Sequence, residues 1–335
     1  MRFAVRSIII ALIMYKGKAV YVMHEVISLL INRYDFFLQL LWEHIEISLS
    51  ASIIAIIIGG LLGVLIHEYK RLSGPVMLIV NFLYTIPSIS MLGLLLYVSG
   101  VGNTTAIIAL VIYALLPMVR NTFTGLDQIK SDMREAGIAL GLTRLQRLWY
   151  IEIPLAMPTI MAGIRTMFVM TIALTGIASF IGAGGLGVAI YRGITTNQSA
   201  LTIAGSLLIA LLAIVVDALF SLGERITRIS PNMKRYTIIF LSVMTLITMI
   251  VGGWSLYCRH VKADVIHIAT KPMTEQLILG NALKELIEHK TGLTVEVTEG
   301  VGGGTSNIQP AMRSGQFDIY PEYTGTAWSA VLKRT

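Results

Sequence analysis

Few residues in this sequence have the types and spacing that chemistry requires. Two glycine-rich runs, at 181–187 and 300–305, could suggest loops that hold a phosphate or a dinucleotide. The first run lacks a following Lys-Ser/Thr pair, and the second has Thr305 where a dinucleotide loop needs its third glycine. The one cysteine, Cys258, excludes a disulfide within the chain and a metal site built from several thiolates. The sequence therefore predicts neither a nucleotide site nor a metal centre in this chain.

The composition indicates that the bilayer is the main solvent of this chain. Of its 335 residues, 55% are hydrophobic and only 13% are charged, which is typical of a polytopic membrane protein rather than of a soluble domain. The formal net charge of +7 could suggest a nucleic-acid partner. The lysines and arginines lie between apolar segments without interleaved aromatic residues, however, so membrane topology explains them better.

Six apolar segments are long enough, or nearly so, to cross about 30 Å of hydrocarbon. Asp217 lies inside the fifth of them, near its cytoplasmic end, and we expect it to pair with Arg225 rather than to relay protons. Residues 24–44 are predicted to form an interfacial amphipathic helix, and residues 1–22 contain an apolar run too short to span. The predicted spans are 45–66, 76–97, 104–119, 158–180, 201–222 and 237–257.

Basic residues are concentrated in alternate loops. The loop after the first span, the long central loop and the segment before the sixth span carry most of them, whereas Arg192 stands alone in the other loops. By the positive-inside rule, the basic loops face the cytoplasm. The predicted topology therefore places the residues after the sixth span outside the cell.

The long central loop combines helix formers with a glycine and a proline at informative positions. Glu135 and Ala136 favour a helix, Gly141 permits a break, and Pro154 is expected to end a second helix. The apolar side chains of that second helix fall on one stripe. This pattern predicts a surface helix–turn–helix suited to docking a partner rather than to catalysis; an ordinary amphipathic connector is the alternative. The stripe consists of Leu142, Leu145, Leu148 and Trp149.

The same residues resemble the EAA loop of ABC-importer permeases, which reads E-A-A, three residues, G, nine residues and I-x-L-P. Gly137 replaces the second alanine of that pattern, and Ile153 replaces the leucine. The resemblance implies that the loop contacts a separate cytoplasmic ATPase subunit, which would bind ATP and Mg²⁺. This sequence has no Walker A motif, so we expect a transport subunit that is not an enzyme. The implied contact residues are Glu135, Ala136, Gly137, Gly141, Ile151 and Pro154.

Polar residues inside the spans are sparse and grouped. One group surrounds Pro87 in the second span, and another follows one face of the fourth span. Polar groups at membrane depth are tolerated against protein or a water-filled path, so we predict a translocation path along these residues. Hydrogen bonding between packed helices is the alternative. The path candidates are Tyr84, Thr85, Ser88, Thr171 and Thr175.

Four further motifs make residues 36–228 resemble the permease of osmoprotectant ABC importers, which carry glycine betaine, carnitine or choline. The resemblance implies a type I importer permease fold, a homodimer and a multi-pass location in a bacterial cell membrane. The motifs occupy 85–88, 116–122, 162–166 and 181–187.

The composition changes abruptly after the sixth span. Strand-like patterns at 265–269, 294–297 and 317–320 alternate with a helical pattern at 274–289, for which Thr274 is the predicted N-cap. Strands that alternate with helices indicate an α/β domain with a parallel sheet.

Three segments of this domain resemble the first lobe of the substrate-binding proteins that serve these permeases. They are 271–276, 302–307 and the string Tyr-Pro-Glu-Tyr-Thr-Gly-Thr at 320–326. The resemblance implies a small quaternary-ammonium ligand, whose methylated cation donates no ordinary hydrogen bond and is held by tyrosine faces. A fused receptor of this kind also occurs in importers of ergothioneine. The implied ligand contacts are Lys271, Gln276, Tyr323 and Thr326.

The fold prediction is an all-α polytopic bundle of about six spans followed by a partial α/β lobe of the periplasmic-binding-protein type II kind. We expect an N-terminal segment, a permease domain, a sixth span with its linker, and an incomplete binding domain. The predicted function is the permease subunit of an ATP-driven importer, with a secondary transporter or a membrane-anchored receptor as alternatives. The predicted boundaries are 1–35, 36–230, 231–263 and 264–335.

Overall fold

The computed structural model describes residues 22–229, 265–302, 304–313 and 315–332. Helix α1 (Val22–Asn32) ends before Arg33, which leaves the helical region, and α2 (Tyr34–Glu68) then runs for 35 residues. The predicted interfacial helix 24–44 is therefore wrong as a separate element, because its second half continues into the first span. Phe37 and Leu40 explain this, since both are buried in an apolar cluster of the bundle. Most of the predicted segment 1–22 lies outside the described residues.

The bundle contains four described helices that are long and apolar enough to cross a membrane. They are α2, α5 (Asn103–Asp127), α8 (Ile153–Ala178) with the helical turns that precede and follow it, and α10 (Ser199–Ile229). Together they account for four of the six predicted spans. The predicted sixth span, 237–257, and Cys258 lie outside the described residues.

The predicted second span is a bent pair of helices rather than one continuous helix. Helix α3 (Lys70–Thr85) and helix α4 (Ser88–Ser99) meet at an angle of 100°. Ile86 has φ −66° and ψ 128°, the extended conformation that the ring of Pro87 imposes on the residue before it. Pro87 therefore breaks the predicted span between α3 and α4.

Close helix contacts form the centre of the bundle. A Cβ atom at Gly59 of α2 would lie 2.8 Å from the Cβ of Met118 on α5, and Gly63 meets Thr122 one turn later. Small residues at such positions let two helix backbones approach closely in a membrane. Helix α5 in turn contacts α8, so these three helices form the frame to which the loops attach.

The glycine run at 181–187 forms a tight turn. Gly182 and Gly185 have φ of 73° and 95°, a left-handed conformation that glycine adopts without strain. The amide of Gly185 donates to Glu43 Oε2 at 3.0 Å, and that of Gly184 donates to Asn103 Oδ1 at 2.9 Å. The turn leads into α9 (Gly187–Thr195) and is held by α2 and α5.

The C-terminal lobe begins with the predicted parallel β–α–β unit. Strand β1 (Val265–Ala269) pairs in parallel with β2 (Thr294–Thr298), and α11 (Thr274–Thr291) connects them; α12 (Thr305–Arg313) follows. The predicted strand at 317–320 is reduced to one bridge, between Ile268 and Ile319. The predicted N-cap is also wrong, because Met273 precedes the helix and Thr274 is its first residue.

Candidate functional site

The central polar loop folds into two helices joined by a turn, as predicted. Helix α6 (Ser131–Ala139) ends before Gly141, whose φ of +75° is a conformation that glycine adopts without strain. Helix α7 (Arg144–Arg147) then starts with a capping box between Thr143 and Gln146. We call residues 131–154 the coupling segment.

Pro154 does not end the second helix, so this part of the prediction is wrong. A π-helical turn, Leu148–Glu152, follows α7 and leads directly into α8, where Pro154 occupies the first turn. Proline lacks an N–H and its ring collides with the carbonyl four residues earlier in a regular helix. The wider π turn relieves that collision, so one helical rod runs from 144 to 181.

Two of the predicted contact residues meet inside the segment. A Cβ at Gly137 would lie 2.9 Å from Ile151 Cδ1, so glycine is what allows α6 to lie against the π turn. Glu135 and Ala136 are exposed on α6. Pro154 lies within α8, half-buried, and Gly141 forms the turn.

The coupling segment presents an exposed apolar surface. Leu140, Leu145 and Trp149 are 77%, 69% and 64% exposed, whereas Leu148 is buried in the same core cluster as Phe168. The predicted single stripe is therefore divided, because Leu148 turns toward the bundle while its neighbours face outward. Contiguous exposed apolar side chains of this kind mark interaction surfaces.

Glu152 anchors this surface to the bundle, and the sequence prediction missed it. Its side chain is 1% exposed and accepts a hydrogen bond from Arg147 Nε at 2.8 Å. His67 Nε2 lies 3.5 Å from Glu152 Oε2, and Arg134 Nε lies 3.8 Å from Oε1. A buried carboxylate persists only with such partners. We call Glu152, His67, Arg134 and Arg147 the buried charge cluster.

The ligand atoms of His67, Glu68 and Glu152 lie close enough together to hold a metal ion. Two guanidinium groups already compensate the charge of Glu152, however, so these residues fit an ion-pair network better than a cation site. Glu68 in turn is paired with Arg144, which also lies over the ring of Tyr69. The coupling segment is thus joined to the cytoplasmic end of α2 at two places.

The predicted path residues fall into two different environments. Tyr84 is 40% exposed beside the bend between α3 and α4, and its hydroxyl lies 3.6 Å from Met170 Sδ. Thr85 is exposed and Ser88 is half-buried at the same bend. Thr171 and Thr175 are buried and donate to carbonyl groups four residues earlier in α8 itself at 2.8 Å, so these bonds do not join two helices. The path itself stays a prediction.

Asp217 is paired with Arg165 rather than with the expected Arg225. The two guanidinium contacts measure 2.5 Å from Nε and 2.6 Å from Nη2. The expected partner, Arg225, has a side chain outside the described residues. The pair joins α10 to α8, so a structural role for Asp217 fits the geometry.

The external lobe brings Lys271 and Tyr323 together. Lys271 is 4% exposed, and its ammonium lies 5.3 Å from the centroid of the Tyr323 ring. The same ammonium is paired with Glu322, which also accepts a 2.7 Å hydrogen bond from Thr305. Burial raises the pKa of Glu322, but the hydrogen bonds from Lys271 and Thr305 outweigh it and hold that pKa below its usual value.

The other two predicted ligand residues lie beside this pair. Gln276 is 1% exposed in the first turns of α11, and Thr326 lies one turn beyond Tyr323 in the short helix Thr324–Thr326. Glu275, which the prediction missed, accepts a 2.6 Å hydrogen bond from the Tyr323 hydroxyl. That bond raises the pKa of Tyr323 and lowers the pKa of Glu275. The result is a small polar site with one aromatic face that already carries a cation.

A bundle of apolar spans with an exposed helical segment at one end and an α/β lobe at the other is typical of the membrane subunit of a solute transporter. Residues 51–229 match the family described as binding-protein-dependent transport system inner membrane component, and the chain belongs to that family. Residues 264–335 match the substrate-binding domain of the ABC-type glycine betaine transport system. The predicted class, a multi-pass ABC permease with a fused binding domain, is confirmed.

Several curated relatives are similar to this chain. The ergothioneine transport permease/ergothioneine binding protein EgtU of Helicobacter pylori is 36% identical over 291 residues, which cover 84% of this chain and 52% of the relative. This chain therefore spans about half the length of that fused relative. The glycine betaine/carnitine/choline permease OpuCD of Bacillus subtilis is 42% identical, with 60% of this chain and 87% of the relative covered. The osmoprotectant import permease OsmW of Salmonella typhimurium is 43% identical, with 58% and 92% covered.

Solved structures support the fold. The native CY5 crystal form of the inward-facing MetNI methionine ABC transporter aligns with a TM-score of 0.53 at 22% identity, covering 57% of this chain and 94% of that one. The selenomethionine soak form gives 0.51 at 23% identity, with 56% and 92% covered. At this identity, the likeness shows the architecture of the permease bundle alone.

Proposed function

We propose that this chain is the membrane subunit of an ATP-driven importer of small quaternary-ammonium compounds, working as a homodimer with two cytoplasmic ATPase subunits. The observation that carries this proposal is the helical rod 144–181. It contains part of the exposed coupling surface at one end, and Phe180 at its other end contacts Gly302 of the lobe. At 38 residues the rod is about 57 Å long, enough to connect both faces of a membrane.

The coupling segment supports the ATPase partner. Its exposed apolar side chains are the kind of surface that a protein partner covers, and the buried charge cluster holds that surface firmly on α2 and α8. A movement imposed on the segment would therefore be transmitted to the spans instead of being absorbed by a loose loop. ATP and Mg²⁺ would bind to the partner.

The lobe supports the ligand class. The face of Tyr323 accepts the ammonium of Lys271 at 5.3 Å, and a quaternary ammonium is recognised by the same interaction. The names of the relatives point to the same class, because glycine betaine, carnitine, choline and ergothioneine all carry a methylated cationic nitrogen. The proposed sequence is capture at the lobe, transfer to a path in the bundle and release inside.

Reconstitution tests this proposal. The full-length protein is placed in liposomes with its cytoplasmic ATPase subunit, and uptake of labelled glycine betaine, choline, carnitine and ergothioneine is measured. We expect accumulation of at least one of them that requires ATP on the cytoplasmic side and survives collapse of the ion gradients. Uptake that follows an ion gradient without ATP would establish the secondary transporter, and ligand binding without any uptake would establish the receptor.

A further inference from the structure

The loop between α4 and α5 makes a specific contact with the lobe. The backbone N–H of Val101 donates to Gln316 Oε1 at 2.9 Å, and Gln316 Nε2 donates back to the carbonyl of Val101. Gly100 and Gly102, on either side, have φ of 77° and 110°. One amide side chain of the lobe thus satisfies both backbone polar groups of a permease residue, as a neighbouring strand would.

The side chain of Val101 is part of the apolar core of the lobe. It is 5% exposed and belongs to a cluster whose other buried members all come from the lobe. Separation of the two parts would expose Val101 and several lobe residues to water, and would leave both backbone groups of Val101 to be satisfied by solvent alone. The lobe members of the cluster are Ala269, Val301, Ile308, Ala311 and Phe317.

Two further contacts fix the orientation. Arg192 Nη1 of α9 lies 2.7 Å from Glu299 Oε2, while Asn281 of α11 donates to the other oxygen of Glu299 at 2.8 Å. Gly302 lies so close to the Phe180 carbonyl that a Cβ atom has no room there. Interfaces between domains that form and separate repeatedly are more polar than permanent ones. This one combines a shared core residue with an ion pair and a backbone contact.

We propose that the lobe stays docked on its own permease through the whole transport cycle, held by Val101, Gln316 and the Arg192–Glu299 pair. Ligand would then be captured directly above the bundle, and no detached receptor would have to return to it. The role of this docking in transport rests on the proposed function. The docking itself can be measured without transport.

Cross-linking tests the permanence of the contact. In the full-length protein with Cys258→Ser, the pair Arg192→Cys and Glu299→Cys is treated with a short bismaleimide in four states: without ligand, with glycine betaine, with ATP, and with ATP and vanadate. We expect the same cross-link yield, within about 20%, in all four states. A yield that falls several-fold in any state shows that the lobe leaves, and overturns the proposal. The cross-link yield is measured without uptake. A failure of this inference is therefore distinguishable from a failure of the proposed function.

Charge reversal tests whether transport depends on the contact between Arg192 and Glu299. We expect Arg192→Glu and Glu299→Arg each to lower uptake about tenfold, and the double variant to recover to within about threefold of wild type. Lys290→Glu, which makes the same charge change at an exposed position in the last turn of α11, should leave uptake unchanged. Gln316→Ala should lower the cross-link yield in every state. Absence of recovery in the double variant, with ligand binding intact, contradicts the assigned pair.

Discussion

The two ends of the bundle differ in which side chains they bury, because one end buries a charged residue and the other buries an apolar one. At the cytoplasmic end, Leu145 and Trp149 are exposed while Glu152 is buried with its cationic partners. At the external end, Val101 is buried in the lobe while the Arg192–Glu299 pair remains partly exposed at the edge. The difference shows that the lobe covers the bundle at one end, whereas the apolar side chains of the coupling segment stay exposed in the part of the chain that the structure describes.

Replacing Glu152 should have the largest effect, and only the cytoplasmic end should respond. Glu152→Ala removes the one carboxylate of the buried charge cluster and leaves Arg134 and Arg147 without it, so we expect a loss of about 3–5 kcal/mol in stability. The readout is the thermal unfolding midpoint of the full-length protein in detergent, with ATPase co-purification beside it. Glu135→Ala, at an exposed carboxylate of the same segment, should leave the midpoint unchanged. Equal midpoints for both variants would show that Glu152 does not anchor the coupling segment to the bundle.

The second-largest effect is expected for Gly141→Val. A side chain at φ +75° costs about 1–2 kcal/mol, and more for a β-branched residue, so the turn should open and the apolar surface should lose its shape. We expect loss of ATPase co-purification and of uptake, with ligand binding at the lobe unaffected. Gly93→Val serves as the control, because Gly93 lies in α4 with no atom of another residue close to the position of a Cβ. Wild-type uptake by Gly141→Val would contradict the coupling assignment.

Lys271→Ala should act on the external end alone. It frees the face of Tyr323 but removes a cation that a ligand carboxylate could approach. We expect glycine betaine to bind about tenfold more weakly, and choline, which has no carboxylate, to change by less than about threefold. Titration calorimetry on the full-length protein gives both affinities, and Lys290→Ala is the matched control. Equal losses for both ligands would show that Lys271 only supports the lobe through Glu322.

The smallest effect is a pH dependence of the lobe. Because the pKa of Glu322 is held below its usual value in the folded lobe, its ion pair contributes fully above about pH 4.3, the ordinary carboxyl pKa, and is lost as pH falls through the lower folded value. Hydrogen exchange of β1, corrected for intrinsic rates, should therefore be constant from pH 7 to 5 and rise below about pH 4. Glu322→Gln should abolish the part of the rise in exchange that the ion pair causes. An unchanged exchange profile in this variant would contradict the role of the Lys271–Glu322 pair.

Local patterns in the sequence predicted the elements better than their endings. The coupling helices and the β–α–β unit follow from periodicity and from Gly141, which act within a few residues. Pro154 was expected to stop a helix because propensity describes a regular α-helix, and a π turn avoids the collision that this expectation assumes. Pro87 was placed within a polar group of the second span, but residue types alone do not give the 100° angle between α3 and α4.

Long-range partners were the part that the sequence could not supply. Glu152 is a single carboxylate in an apolar run, so no periodicity marks it, and its partner His67 belongs to another helix. The Lys271–Glu322 pair joins residues 51 positions apart, and the Arg165–Asp217 pair joins residues 52 apart. Such pairs depend on how the elements pack, whereas the choice of Lys271 and Tyr323 depended on residue type and on the resemblance alone.

The π turn at Leu148–Glu152 has a consequence for the direction in which the rod faces. Each residue added to or removed from an α-helix rotates everything beyond it by about 100°. The turn holds one residue more than an α-helical turn would, and its wider winding absorbs that residue, so Leu145 and its neighbours keep their direction about the axis. A residue added within the regular part of α8 has no wide turn to absorb it, so we expect it to rotate Leu145 and its neighbours by about 100° and to turn their surface away from its present direction.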